Sequence, residues 1–109
     1  MPTTYKVLGQ SNPAATTLTT LYTVPSATTA VVSSIVIANL DSTSATFRIA
    51  VRPDGASIAN SQYIAYNITV GASDSTVLTM GITMDAADVL SVYASTANVT
   101  FSAFGSEIS

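Results

Sequence analysis

Hydrophobic and polar residues alternate with a period of two along most of this chain, the signature of strands that bury one face and wet the other. The clearest stretch is Phe47-Arg48-Ile49-Ala50-Val51-Arg52. Phe47, Ile49 and Val51 share one face and the two arginines the other. The same spacing groups Leu78, Met80, Ile82 and Met84, groups Ile64, Tyr66, Ile68 and Val70, and links Val99, Phe101 and Ala103. Turn-forming residues fall between these runs, at Asn39-Leu40-Asp41-Ser42, Pro53-Asp54-Gly55, Gly71-Ala72-Ser73-Asp74, Asp85-Ala86-Ala87-Asp88 and Thr96-Ala97-Asn98. The pattern predicts eight strands, near 4–9, 16–24, 29–39, 45–52, 62–70, 75–84, 89–95 and 98–105, and calls for no helix. Pro25 closes the second strand, and 54–61 is the longest loop.

Short strands with turns at regular intervals predict an all-β domain over 1–109: an antiparallel β-sandwich of about eight strands, jelly-roll-like, with a closed β-barrel as the alternative. The expected core includes Phe47, Ile49, Val51, Ile64, Ile68, Met80, Ile82, Val92 and Phe101. The segment from Val31 to Leu40 is apolar on both faces, with Ile35 and Ile37 opposite Val32, Val36 and Ala38. Such a strand lies centrally in its sheet or turns its outer face to another subunit. Residues 1–13 are a candidate N-terminal contact arm, since chain ends stay disordered unless something ties them down.

Composition turns this fold towards assembly. Hydrophobic residues make up 48% of the chain and charged residues 8%, against roughly 25% charged in ordinary soluble domains. Serine and threonine, about three residues in ten, meet the water instead. A neutral hydroxyl costs far less to desolvate than a charge, so this surface favours permanent contacts. The expectation is a homo-oligomer, a dimer or trimer. The net charge of −3 comes from Asp41, Asp54, Asp74, Asp85, Asp88 and Glu107 against Lys6, Arg48 and Arg52. Without a basic cluster, nucleic acid is not an expected partner. No apolar run approaches the roughly 20 residues of a spanning helix, so no membrane association is expected either. The first residues carry no secretory or transit pattern, which implies synthesis in the cytoplasm.

Catalytic chemistry is hard to assemble from this inventory. The chain has no histidine and no cysteine, which removes the usual bases and nucleophiles and leaves only oxygen ligands for a metal. Asp85 and Asp88 could hold Ca²⁺ with backbone carbonyls, but capping of their own turn is the better reading. All five aspartates fall in expected turns, and the glycines form no phosphate-binding loop. No catalytic residue, cofactor site or metal site is assigned, and the protein is not expected to be an enzyme. Tyr5, Tyr22, Tyr63, Tyr66 and Tyr93 could stack on sugars, with Tyr63 or Tyr66 as the exposed platform of a carbohydrate-binding, receptor-recognising module, although half-buried packing is the commoner role of strand tyrosines. Arg48 and Arg52 read as solvated charge or as contacts to a partner's carboxylates or carbonyls.

Tyr5-Lys6-Val7-Leu8-Gly9-Gln10, Leu21-Tyr22-Thr23-Val24-Pro25, Val32-Ser33-Ser34-Ile35-Val36-Ile37-Ala38-Asn39 and Phe47-Arg48-Ile49-Ala50-Val51 together resemble small virion structural proteins of tailed bacteriophages, cyanophages included. Tyr63-Ile64-Ala65-Tyr66, Leu78-Thr79-Met80-Gly81-Ile82-Thr83, Asp88-Val89-Leu90-Ser91-Val92-Tyr93-Ala94 and Phe104-Gly105-Ser106-Glu107-Ile108 extend the likeness over nearly the whole chain. The resemblance implies a non-enzymatic β-sandwich located in the virion, either a capsid cement or decoration protein or a neck, tail or baseplate component. Its partners would be the major capsid protein or other virion proteins.

Overall fold

The eight strands, seen in a computed structural model that describes residues 2–109, are β1 (Thr3–Ser11), β2 (Thr19–Thr23), β3 (Thr29–Asn39), β4 (Ala45–Arg52), β5 (Tyr63–Val70), β6 (Ser75–Met84), β7 (Val89–Ala94) and β8 (Val99–Ile108). The only helical turns among these residues are two short 3₁₀ pieces, Pro53–Gly55 and Asn60–Gln62, in the β4–β5 loop. Two antiparallel four-stranded sheets pack face to face and do not close into a barrel. Sheet A has the order β1-β8-β3-β6 and sheet B the order β2-β7-β4-β5. The pairs β1·β8, β2·β7, β3·β6 and β4·β5 nest like one long hairpin folded over itself, with the β4–β5 loop at its tip. That is the jelly-roll arrangement.

The core lies between the sheets. Val32, Ile35 and Ile37 from β3 and Phe101 and Ala103 from β8 meet Phe47 and Ile49 from β4 and Leu90 and Val92 from β7, all buried. Phe47 and Phe101 join the two sheets edge to face, with ring centroids 6.2 Å apart at 74°. Of the other expected core residues, Val51, Met80 and Ile82 are half-buried. Ile64 and Ile68 are exposed and must be removed from the core. Ile68 stands directly across the ladder from Phe47, but β5 is the edge of sheet B and nothing flanks its outer side. Ile64 falls where the β4·β5 register shifts, between Ala65 opposite Ile49 and Tyr63 opposite Ala50.

Bulges also reset the parity of β3 and β2. A register shift between Val32 and Ser34 moves Val32 to the same inward face as Ile35 and Ile37, leaving Val31, Val36 and Ala38 half-buried on the other side. The expected grouping of Val32 with Val36 and Ala38 is therefore corrected. The strand is central, flanked by β8 and β6. In β2, a shift between Thr20 and Tyr22 lets the consecutive Leu21 and Tyr22 both be buried. This strand is shorter than expected because Thr16 adopts φ 54° in the turn before it, where its N–H donates to the Ala94 carbonyl at 2.8 Å.

The segment read as a contact arm is held in the fold over Thr3–Ser11, paired with β8 along its length; Met1 lies outside the described residues. Gly9 and Gly105 permit the closest approaches. A Cβ on Gly105 would overlap the Val31 carbonyl, and one on Gly9 the Leu21 carbonyl. Glycine is required there by space.

Candidate functional site

The acidic turns are structural. Asp88 accepts the Asp54 N–H on Oδ1 and the Asp85 N–H on Oδ2, each at 2.9 Å, while Asp85 Oδ1 accepts the Ala86 N–H at 2.9 Å. These carboxylates cap their own turn and pin the β4–β5 loop to the β6–β7 turn. Among the described residues no group of three or more His, Cys, Asp or Glu side chains comes together as a metal site. At the other end of the sandwich, buried Asn39 donates to the Thr43 carbonyl at 2.9 Å and the Gly71 carbonyl at 3.1 Å, and accepts the Asp41 N–H at 3.0 Å. Asp41 in turn accepts from the Asn98 amide at 3.2 Å. One amide and one carboxylate thus tie three turns together. Asp41 is held below the ordinary carboxyl range by the Asn98 bond, with help from the Ser42 N–H.

The outer faces of the two sheets differ sharply. On sheet A, the register aligns Tyr5, Ser106, Val31 and Thr83 in one rung and Val7, Phe104, Ser34 and Thr79 in the next. Ser102, Val36 and Val77 form a third. None of these rungs holds a carboxylate, a lysine or an arginine. Tyr5 is 83% exposed and Val77 58%, and a shallow depression of about 490 Å³ opens over Tyr5, Val7, Val31 and Phe104, with Lys6, paired to Glu107, at its margin. Alternation along β3 and β8 puts Val31 and Phe104 outward because the alternate positions fill the core, and Tyr5 and Val7 of β1 line up beside them through the β1·β8 register.

Sheet B turns both arginines outward. Arg48 stands opposite Tyr93 in the β4·β7 ladder, and its guanidinium carbon lies 4.2 Å from the ring centroids of both Tyr93 and Tyr66. Its Nε donates to Asn67 Oδ1 at 2.7 Å. Tyr66 and Asn67 both reach it because the β5 bulge sets the two of them against this one residue, between the pairs Phe47–Ile68 and Ile49–Ala65. Asn67 takes φ 52° there, a conformation asparagine tolerates. Tyr63 meets Tyr66 edge to face at 4.9 Å and 83°, and a shallow open depression of about 490 Å³ lies between them and Asn60. Arg52 lies along the same outer face and is tied down there, donating from Nε to the Ser91 hydroxyl at 3.1 Å and from Nη1 to the Ala56 carbonyl at 3.2 Å. Neither arginine is simply solvated. The sequence singled out Arg48, Tyr63, Tyr66 and Tyr93 but not Asn67 as a partner of Arg48, and which of the five candidate tyrosines meet Arg48 depends on which strands pair.

One polar contact joins the sheets at their β1–β2 edge. The Tyr22 hydroxyl donates to Glu107 Oε2, and Lys6 Nζ lies 3.3 Å from Oε1. The Tyr22 bond, aided by Lys6, lowers the Glu107 carboxyl below its ordinary value. Burial, reinforced by the carboxylate, drives the Tyr22 phenol up. No family model matches the chain and no curated protein matches it.

Proposed function

We propose that this chain is a non-enzymatic structural protein of a tailed-bacteriophage virion, a cement or decoration protein that stabilises the head shell. The observation that carries this reading is the outer face of sheet A. The three outward rungs hold only neutral side chains, among them the strongly exposed Tyr5 and Val77, and the one cation at their margin, Lys6, is already paired with Glu107. Covering such a face removes apolar area from water and strands no unpaired charge. A jelly roll is one of the folds of viral shells, although fold alone does not assign a role. The likeness to phage virion proteins supplies the setting. A neck, tail or baseplate position is the alternative within the virion.

Quantitative mass spectrometry of purified particles tests the location. Symmetric shell decoration requires on the order of hundreds of copies, and a count of about a dozen would reject the cement role in favour of the neck or tail. In solution, the expectation is a dimer or trimer whose association constant changes little between roughly 0.05 and 0.5 M salt, because few charged pairs are available to be screened. Val77→Lys, which plants a charge on the neutral face, should abolish attachment to shells that lack the protein while leaving the dichroism spectrum unchanged. Undiminished attachment would remove sheet A from the interface.

A further inference from the structure

We propose that the outer face of sheet B is a binding site for an acidic saccharide, with Arg48 receiving the sugar carboxylate and Tyr63, Tyr66 and Asn60 holding the ring. The inference is independent of where in a virion the protein sits. It starts from an arginine held in place with its business end free. The rings of Tyr66 and Tyr93, each 4.2 Å away, fix the guanidinium plane, and Asn67 takes Nε. Among the described residues Nη1 and Nη2 of Arg48 have no hydrogen-bond acceptor, and no carboxylate pairs with this cation. Two parallel N–H groups with their orientation already set form the fork that a carboxylate accepts end-on.

Beside this fork lies the open depression lined by Asn60, Tyr63 and Tyr66. Tyr66, 53% exposed, is common to both, so ring pocket and cation are neighbours. Two aromatic rings at nearly a right angle present one face and one edge to the C–H surfaces of a pyranose, and the phenol hydroxyls and the Asn60 amide can bond its hydroxyls. The loop carrying Asn60 is braced before any ligand arrives. Arg52 holds its first part through the Ala56 carbonyl, and Gln62 Oε1 accepts the Ala59 N–H at 2.9 Å. A preformed corner loses little freedom on binding. The bulge that puts Tyr66 and Asn67 side by side is the kind of irregularity that re-aims side chains at sites.

The test is calorimetric titration of the full chain with trigalacturonate, trimannuronate and sialyllactose, using the methyl ester of trigalacturonate and inorganic phosphate as controls. At least one acidic sugar should bind with a dissociation constant of about a millimolar or tighter. Methyl esterification, Arg48→Gln and Arg48→Lys should each weaken that sugar by about tenfold or more, since a lysine keeps the charge but loses the fork. Tyr63→Ala should weaken the sugar and leave any phosphate binding unchanged. Dichroism spectra of the variants matching the parent would establish that the losses are not unfolding. The proposal fails if none of the three acidic sugars binds at about 10 mM, if the ester binds as well as the acid, or if phosphate competes as strongly as the sugar binds. It fails equally if the Arg48 variants, still folded, bind normally.

Discussion

Replacing Phe47 by alanine should cost far more than the same truncation at Ile68, although the two residues face each other across one ladder. Phe47 is fully buried between the sheets and Ile68 is 43% exposed on the edge strand. Removing the phenyl ring forfeits about 2 kcal/mol of transfer free energy. A residual void on the order of 80 Å³, walled by strands that cannot collapse far, adds about 2 kcal/mol more. Loss of the edge contact with Phe101 contributes a further ~0.5–1 kcal/mol. The predicted total is about 4–5 kcal/mol, a large part of the stability of a domain this size. Ile68→Ala should cost less than about 1.5 kcal/mol, because much of its side chain already meets water. Urea unfolding at one fixed protein concentration, followed by far-ultraviolet dichroism and tyrosine fluorescence, measures both. With a slope of roughly 1.5 kcal/mol per molar urea, the Phe47 midpoint should fall by about 3 M. Comparable losses at the two positions, or a Phe47 loss below about 1.5 kcal/mol, would refute this account of where the core ends.

Three further expectations rest on other contacts. Gly105→Ala should destabilise by at least ~2 kcal/mol, because the new methyl meets the Val31 carbonyl of a central strand; Gly81→Ala, with open space at the same test, should be close to neutral, and thermal melts compare them. Asn39→Ala should cost about 2–3 kcal/mol in the same melts, since it breaks the bonds joining the turns and leaves buried backbone groups unpaired. For Glu107 the folded pKa lies below its ordinary 4.5, so its contribution is complete above that value and is lost as pH falls through the folded pKa. Tyr22 is shifted the opposite way, above its ordinary 10.0, so its share is present below pH 10 and is lost as pH rises through the folded pKa. Stability against pH should therefore fall at both ends of a plateau, and Tyr22→Phe should flatten both falls; unchanged pH dependence in that variant would count against the contact.

The period-two pattern determined the strands of this protein, because alternation and turn residues are local properties that each segment carries alone. The segment 45–52 was expected and is found at Ala45–Arg52, and Phe47 and Ile49 are buried as their alternation required. Alternation does not say which strand lies at an edge. Ile64 and Ile68 repeat with the same period as Phe47 and Ile49, yet both are exposed, Ile68 because β5 has a neighbour on one side only and Ile64 because the β5 bulge sets Ala65 and not Ile64 opposite Ile49. It also fails at bulges, where one added residue inverts the parity of everything beyond it. That inversion put Val32 inward with Ile35, and it set Tyr66 and Asn67 together against Arg48. The neutral surface was legible as composition, but its concentration on sheet A was not, since Tyr5, Val31, Phe104 and Val77 are far apart in sequence and meet only through strand pairing. Tertiary structure decided these matters because register is fixed by contacts between distant segments, and no single segment contains them.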